Sequence, residues 1–197
     1  MLKASVNVSD IHYRSAVEFP FLSAPDGSIS LADHSEYTKV LVRADRKTAA
    51  GKHLKVSYGR SRSRDGILIC GSRPDEWTLL SEAHRSTEVA ESVPRDGFVS
   101  VVDITHARTM FRISGSCAVD ALAKVCNVDL ADHMTPDGAV FSGSIAKVGC
   151  DVVRNDQEAG RSYLIACERS FGKYLFAVVA DACAEFGIAI PSGMSTH

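Results

Sequence analysis

With 197 residues, 45% of them hydrophobic and 23% charged, the chain has the balance of a globular protein, enough for one ordinary domain or two small ones sharing a core, and not that of a disordered or fibrous one. No apolar run approaches the ~20 residues that cross a bilayer, and the opening MLKASVNVSDIHYR has no apolar stretch of the secretory kind. With a net charge of -2, the expectation is a soluble cytoplasmic protein with no membrane or nucleic-acid partner.

Residues 1–35 carry little periodicity, and FPFLSAPDGSISLADHS is broken by Pro, Asp, Gly and Ser, so an extended N-terminal arm is expected, one that wraps a neighbouring chain or lies disordered. Four strand-like runs follow: YTKVLVRA (37–44), HLKVSYG (53–59), GILIC (66–70) and EWTLLS (76–81). Each alternates or is rich in β-branched and aromatic residues, which predicts an antiparallel sheet. Val89 and Val93 recur at helical spacing in SEAHRSTEVAESV (81–93), placing a helix over that sheet. Phe98–Asp103 and Arg108–Ile113 read as a strand pair, and a helix opened by Gly115 and Ser116 carries Val119, Leu122 and Val125 on one face. Asp137 and Gly138 make a turn before strands at 139–146 and 148–154, and a further strand spans Tyr163–Cys167. Ser170 is a candidate cap for a last helix whose Phe171, Leu175, Val178, Ala182 and Phe186 recur every three to four residues until Gly187 stops it. Runs of strands with helices on one face describe an α+β protein, here two small ferredoxin-like α/β-sandwich modules with antiparallel sheets. The expected division is an arm at 1–35, a first module at 36–96 and a second at 97–197, with room for the two to share a sheet or interleave.

Residue types that carry chemistry are scattered. Cys70, Cys117, Cys126, Cys150, Cys167 and Cys183 form no Cys-x-x-Cys pair and no Cys/His cluster at zinc spacing, so no metal site is expected. Most lie in apolar runs, where a reduced thiol packs as a small hydrophobe. His12, His34, His53, His84, His106, His133 and His197 are far apart, and neither a Gly-x-Ser-x-Gly elbow, a Gly-x-Gly-x-x-Gly nor a phosphate loop occurs. Between Arg43 and Asp65, eight Lys or Arg, among them Arg60, Arg62 and Arg64, face two Asp. That stretch is either a solvated hairpin edge or a docking surface for an acidic partner.

The order of elements from Val101 to Gly187, VVDITHARTMFRISG, LAKVCNVDL, TPDGAVFSGSIAKVGCDVV and YLIACERSFGKYLFAVVADACAEFG, resembles the glycine-cleavage T-protein (aminomethyltransferase) superfamily. With Pro74-Asp75-Glu76-Trp77, Val102-Asp103-Ile104-Thr105 and Ile113-Ser114-Gly115 in sequence, it is most similar to the gamma subunits of heterotetrameric sarcosine oxidases, over about Lys39 to Gly187. The resemblance implies the first two domains of the aminomethyltransferase fold, with Trp77 anchoring the first sheet against its helix. It also implies an accessory subunit of a flavoenzyme that oxidatively demethylates sarcosine to glycine with folate as one-carbon acceptor. FAD, FMN, NAD and tetrahydrofolate are then expected on the alpha, beta and delta subunits or their interface, and none on this chain.

Aminomethyltransferases carry a Gly-Gly-Ile-x-Asp-Asp segment whose acid acts near the folate. The equivalent stretch here is AKVGCDVVRND, where only Asp151 falls near that place and the Gly-Gly-Ile frame is missing. The resemblance therefore implies a structural or interfacial Asp151; His106, which follows Asp103 of the strand motif, is the one histidine it singles out for inspection, and a surface or turn histidine is expected there. No catalytic, cofactor-binding or metal-ligating residue is expected. Two alternatives stay open: a free-standing folate or one-carbon-binding protein of the same superfamily, and the small subunit of another N-methyl amine dehydrogenase.

Overall fold

The computed structural model describes residues 13–158 and 160–194. Its eleven strands form two antiparallel sheets. Sheet A holds β1 (Phe21–Ser23), β2 (Ser30–Asp33), β8 (Arg108–Ser114), β11 (Ser162–Glu168), β10 (Val148–Arg154) and β9 (Val140–Ile145), in that spatial order. Sheet B runs β4 (Ser61–Arg64), β5 (Ile67–Arg73), β6 (Glu76–Ala83), β3 (Tyr37–Ala44) and β7 (Val99–Asp103). Helices α1 (Ala49–Leu54) and α2 (Ser86–Glu91) cover one face of sheet B, and α3 (Ala118–Ala123) and α4 (Gly172–Ala184) cover one face of sheet A. No helix among the described residues is long and apolar enough to cross a membrane.

Because strand side chains alternate, each sheet supplies two apolar layers. On β3, Val40 and Val42 join Trp77, Leu79 and Val89 beneath the helices. On β8, Phe111 and Ile113 pack with Leu175, Phe176 and Val179 of α4, Phe111 meeting Phe176 edge to face at 5.5 Å. The opposite faces meet through a thinner seam of Cys70, Leu80, Met110, Val140, Val153 and Leu164. The result is four layers, helix, sheet, sheet, helix. This is the α+β architecture that the sequence predicts, with Trp77 fully buried and its indole N–H donating to the Val56 carbonyl at 2.9 Å.

Several local expectations give way. Residues 53–59 form no strand. Helix α1 occupies 49–54, capped by the Thr48 hydroxyl, which accepts from Gly51 N at 3.2 Å, and it ends where Lys55 turns left-handed at φ 50°. Leu54 and Val56 are both buried, one in the last helical turn and one in the loop after it, which imitates a strand's alternation. The expected 98–103/108–113 pair is split, since β7 pairs with β3 and β8 pairs with β2 and β11. Within the expected extended arm, residues 21–33 form the β1–β2 hairpin, held by the pairing of fully buried Leu31 with Ile113; the part of the arm up to residue 12 lies outside the described residues. Ser170 makes no cap, because a 3-10 turn at Arg169–Phe171 precedes α4, which has no side-chain cap.

Gly172 begins α4 against β8, where an added Cβ would stand 2.2 Å from Thr109 Oγ1 and 2.8 Å from its Cβ. A Gly→Ala exchange in a helix ordinarily stabilises by up to about 1 kcal/mol, whereas Gly172→Ala is expected to destabilise by about 1–3 kcal/mol through overpacking. Urea unfolding measures the sign, and a stabilised variant would contradict the packing described.

Candidate functional site

Between the inner faces of the two sheets lies a cleft of about 290 Å³, at the lower limit of pockets that enclose small ligands. Its floor is the apolar seam, and its mouth is charged. On the sheet B side the Glu76 carboxylate, with a side chain 5% exposed, accepts from Arg43 Nε at 2.6 Å and from Arg73 Nη1 at 2.9 Å. On the sheet A side Arg108 donates to Asp151 at 2.5 Å and to Glu168 at 2.6 Å. The strand registers account for this. Arg43 stands opposite Glu76 across β3 and β6, Arg73 opposite Glu76 across β5 and β6, and Arg108 opposite Glu168 across β8 and β11. Pairs between exposed partners contribute little, but stripping Glu76 of its arginines would strand a buried charge, which is strongly destabilising.

Lys39 lies at the inner end of the cleft, 1% exposed. Its Nζ donates to the carbonyls of Ser35 at 2.8 Å and Tyr37 at 2.7 Å. Its backbone N–H donates to Thr105 Oγ1 at 3.0 Å, and its carbonyl accepts from Ile104 N at 2.9 Å. Burial pulls the ammonium down to about 8, against the opposing pull of Asp33 and Asp103. Close by, burial together with the Arg112 charge brings His34 down to about 4, and its ring lies against Tyr37 at 4.3 Å.

Asp151 lines this cleft. Both of its carboxylate oxygens are engaged, Oδ2 by Arg108 and Oδ1 by the Ser142 hydroxyl at 2.8 Å. Asp151 is thus held as an ion-pair partner on the wall of the cleft, its side chain still 45% exposed. His106 does not line the cleft. It is exposed and stacks on Tyr13 with ring centroids 4.0 Å apart. His12 and His197 lie outside the described residues. Of the six cysteines, all free, Cys70, Cys150, Cys167 and Cys183 are buried, whereas Cys117 and Cys126 are only partly so. Burial pushes the thiols up, Cys150 and Cys183 to about 12, Cys167 to about 11 and Cys70 further still, and a protonated thiol is no nucleophile. Arg60, Arg62 and Arg64 lie on or beside β4, an outer strand of sheet B, which suits a solvated edge. Among the described residues no three His, Cys, Asp or Glu side chains gather as a metal site.

Sequence reasoning found Asp151 and missed the cleft around it. Lys39, Arg43, Glu76, Arg108 and Glu168 come from four strands of two sheets, and their meeting is set by tertiary packing. One local signal was present, since Lys39 and Arg43 alternate with the buried Val40 and Val42 and so had to point to the opposite face of the strand.

The model of the sarcosine oxidase gamma subunit family matches residues 41–185, well over half of the chain. Among solved structures, a heterotetrameric sarcosine oxidase from Corynebacterium sp. U-96, solved in complex with pyrrole 2-carboxylate, contains a similar chain. It is 19% identical, with 87% of this chain and 91% of that one covered and a TM-score of 0.72. The glycine cleavage system aminomethyltransferase T from Bartonella henselae is similar at 14% identity and a TM-score of 0.60, over 76% of this chain and 44% of that one. No curated protein matches the chain significantly.

The unfolded chain keeps the Lys39 proton up to the group's ordinary value of 10.5, while the fold releases it near 8. Between these values the unfolded state binds more protons, so the cost of the buried charge, fully present below pH 8, is relieved as pH rises through this window. The buried thiols act in the opposite sense above pH 9, so the measurement is a comparison with Lys39→Met. From pH 8 to 10.5 the wild type should gain roughly 1–3 kcal/mol relative to that variant. Parallel stability curves would show that Lys39 titrates as an ordinary lysine.

Proposed function

Because the chain belongs to the sarcosine oxidase gamma subunit family, we propose that it serves as the accessory gamma subunit of a heterotetrameric enzyme that oxidatively demethylates sarcosine to glycine, folate accepting the one-carbon unit. In this reading the chain docks on the alpha subunit, in an assembly with beta and delta subunits, and takes no part in the chemistry. FAD, FMN, NAD and tetrahydrofolate are then held by those other chains, in the cytoplasm. The observation that carries the proposal is the extent of the family match, which runs from β3 through α4 and so takes in most of both sheets.

The side chains support an architectural role. Asp151, the carboxylate at the place of the aminomethyltransferase acid, is tied on one oxygen by Arg108 and on the other by Ser142, and the buried thiols are held protonated. The alternative of a free-standing folate-binding protein would need that carboxylate available to ligand. The surface also suits a chain that works in a complex. Phe98 is 90% exposed at the start of β7, an outer strand of sheet B, and Val102 on the same strand is 48% exposed.

Two outcomes are expected. Expressed alone, the chain should purify without flavin absorbance and without oxygen uptake on sarcosine, and calorimetry should detect no tetrahydrofolate binding at micromolar concentration. Co-expressed with its flavoprotein partners it should co-purify with them, and Asp151→Asn in that complex should leave kcat within about twofold of wild type, since a residue outside the reacting atoms contributes no transition-state interaction. Tight folate binding by the free chain, lost in Asp151→Asn, would favour the one-carbon-binding alternative.

A further inference from the structure

We propose that the cleft between the sheets is a binding site for a small monocarboxylate that carries an apolar body. Glu76 is the reason its mouth suits an anion. A single buried carboxylate, one oxygen to each, holds Arg43 and Arg73 side by side. Each guanidinium spends only one N–H on it and makes no other side-chain hydrogen bond among the described residues. The remaining donors of two convergent forks, on side chains 58% and 61% exposed, are free for a planar anion arriving from solvent, the geometry in which arginine binds carboxylate strongly.

Charge around the cleft sets the valence of the ligand. Lys39, Arg43, Arg73 and Arg108 are opposed by Glu76, Asp151 and Glu168, an excess of one positive charge. Arg108 is committed to Asp151 and Glu168, so the sheet A wall offers a second anionic group only repulsion. A dicarboxylate or a phosphate is therefore disfavoured against a single carboxylate. Behind the arginines, Leu80, Met110, Val140, Val153 and Leu164 offer an apolar floor, so the body of the ligand gains by leaving water. The test uses the free, full-length chain.

The probe is benzoate, titrated into ¹⁵N-labelled protein while backbone amide and arginine Nε shifts are followed. Saturable shifts are expected at Arg43, Arg73 and the cleft strands. Benzyl alcohol, which lacks the charge, and phthalate, which carries two, should bind about tenfold more weakly or worse, as should benzoate with Arg43→Gln/Arg73→Gln, because a charge-assisted hydrogen bond is lost or a repulsion added. Should that double variant fail to fold around an unpaired Glu76, Ala166→Leu fills the cleft from β11, opposite Asp151 in the register, with every charged side chain kept, and it should abolish benzoate binding. Benzoate binding unchanged in Ala166→Leu, equal affinity for benzyl alcohol, or shifts that never saturate and spread evenly over the surface would each overturn the proposal.

Discussion

One lysine holds the two sheets in register. The chain crosses between sheets twice, from A to B at residues 34–36 and from B back to A at 104–107, and Lys39 bonds to both crossings. Its ammonium ties down the Ser35 carbonyl of the first and the Tyr37 carbonyl at the start of β3, and its backbone N–H and carbonyl engage Thr105 and Ile104 of the second. Ser35 carries the link into sheet A, its hydroxyl bonded to the backbone of Met110. Burying an ammonium costs free energy unless every donor finds a partner. Two of the three donors on Lys39 Nζ find carbonyls in the segment just before it, so the burial is sustained by the turn the chain makes as it passes from sheet A to sheet B.

The seam fixed by this node is thin, and that explains the cleft. Helices cover the outer faces of both sheets with aromatic and branched side chains, whereas the inner faces meet through six buried residues, two of them Cys70 and Met110, with Tyr37, Leu68 and Ala166 packed partly buried against them. Toward the strand ends apolar contact gives way to charge. There the pairs Glu76 with its two arginines and Arg108 with its two carboxylates complete each sheet separately and leave space between them. Each network satisfies its own sheet, and the gap is what remains when two self-contained edges face each other.

Much of the fold was legible because apolar, β-branched and aromatic residues run together between turn residues: β3, β5, β6, β8, β10 and β11 all fall where that pattern put them. What failed was pairing and connection. Nothing in 98–113 distinguishes a hairpin from a crossing between layers, because the difference lies in whether Ile104 bonds back to Lys39, some 65 residues earlier. α1 was hidden because its six residues contain Gly51, a poor helix former. That glycine is required by the close approach of the Arg46 backbone, 2.5 Å from where a Cβ would stand. The resemblance to a known family was legible in the order of short motifs, while the cleft was not, since its lining is shared among strands that are distant in sequence.

The split origin of sheet A bears on how the protein folds as it is made. Sheet B comes from one unbroken segment, 37–103, and can be completed as soon as β7 has left the ribosome. The β1–β2 hairpin emerges ahead of sheet B and finds its partner β8 only after it: Ser30 meets Ser114, 84 positions further along the chain. Until β8 appears, Leu31 has nowhere to bury and β2 presents an open edge, a condition that favours slow closure and chance pairing with other nascent chains. Sheet B thus acts as an insertion inside sheet A, and β2 depends on a strand made only after that insertion is complete.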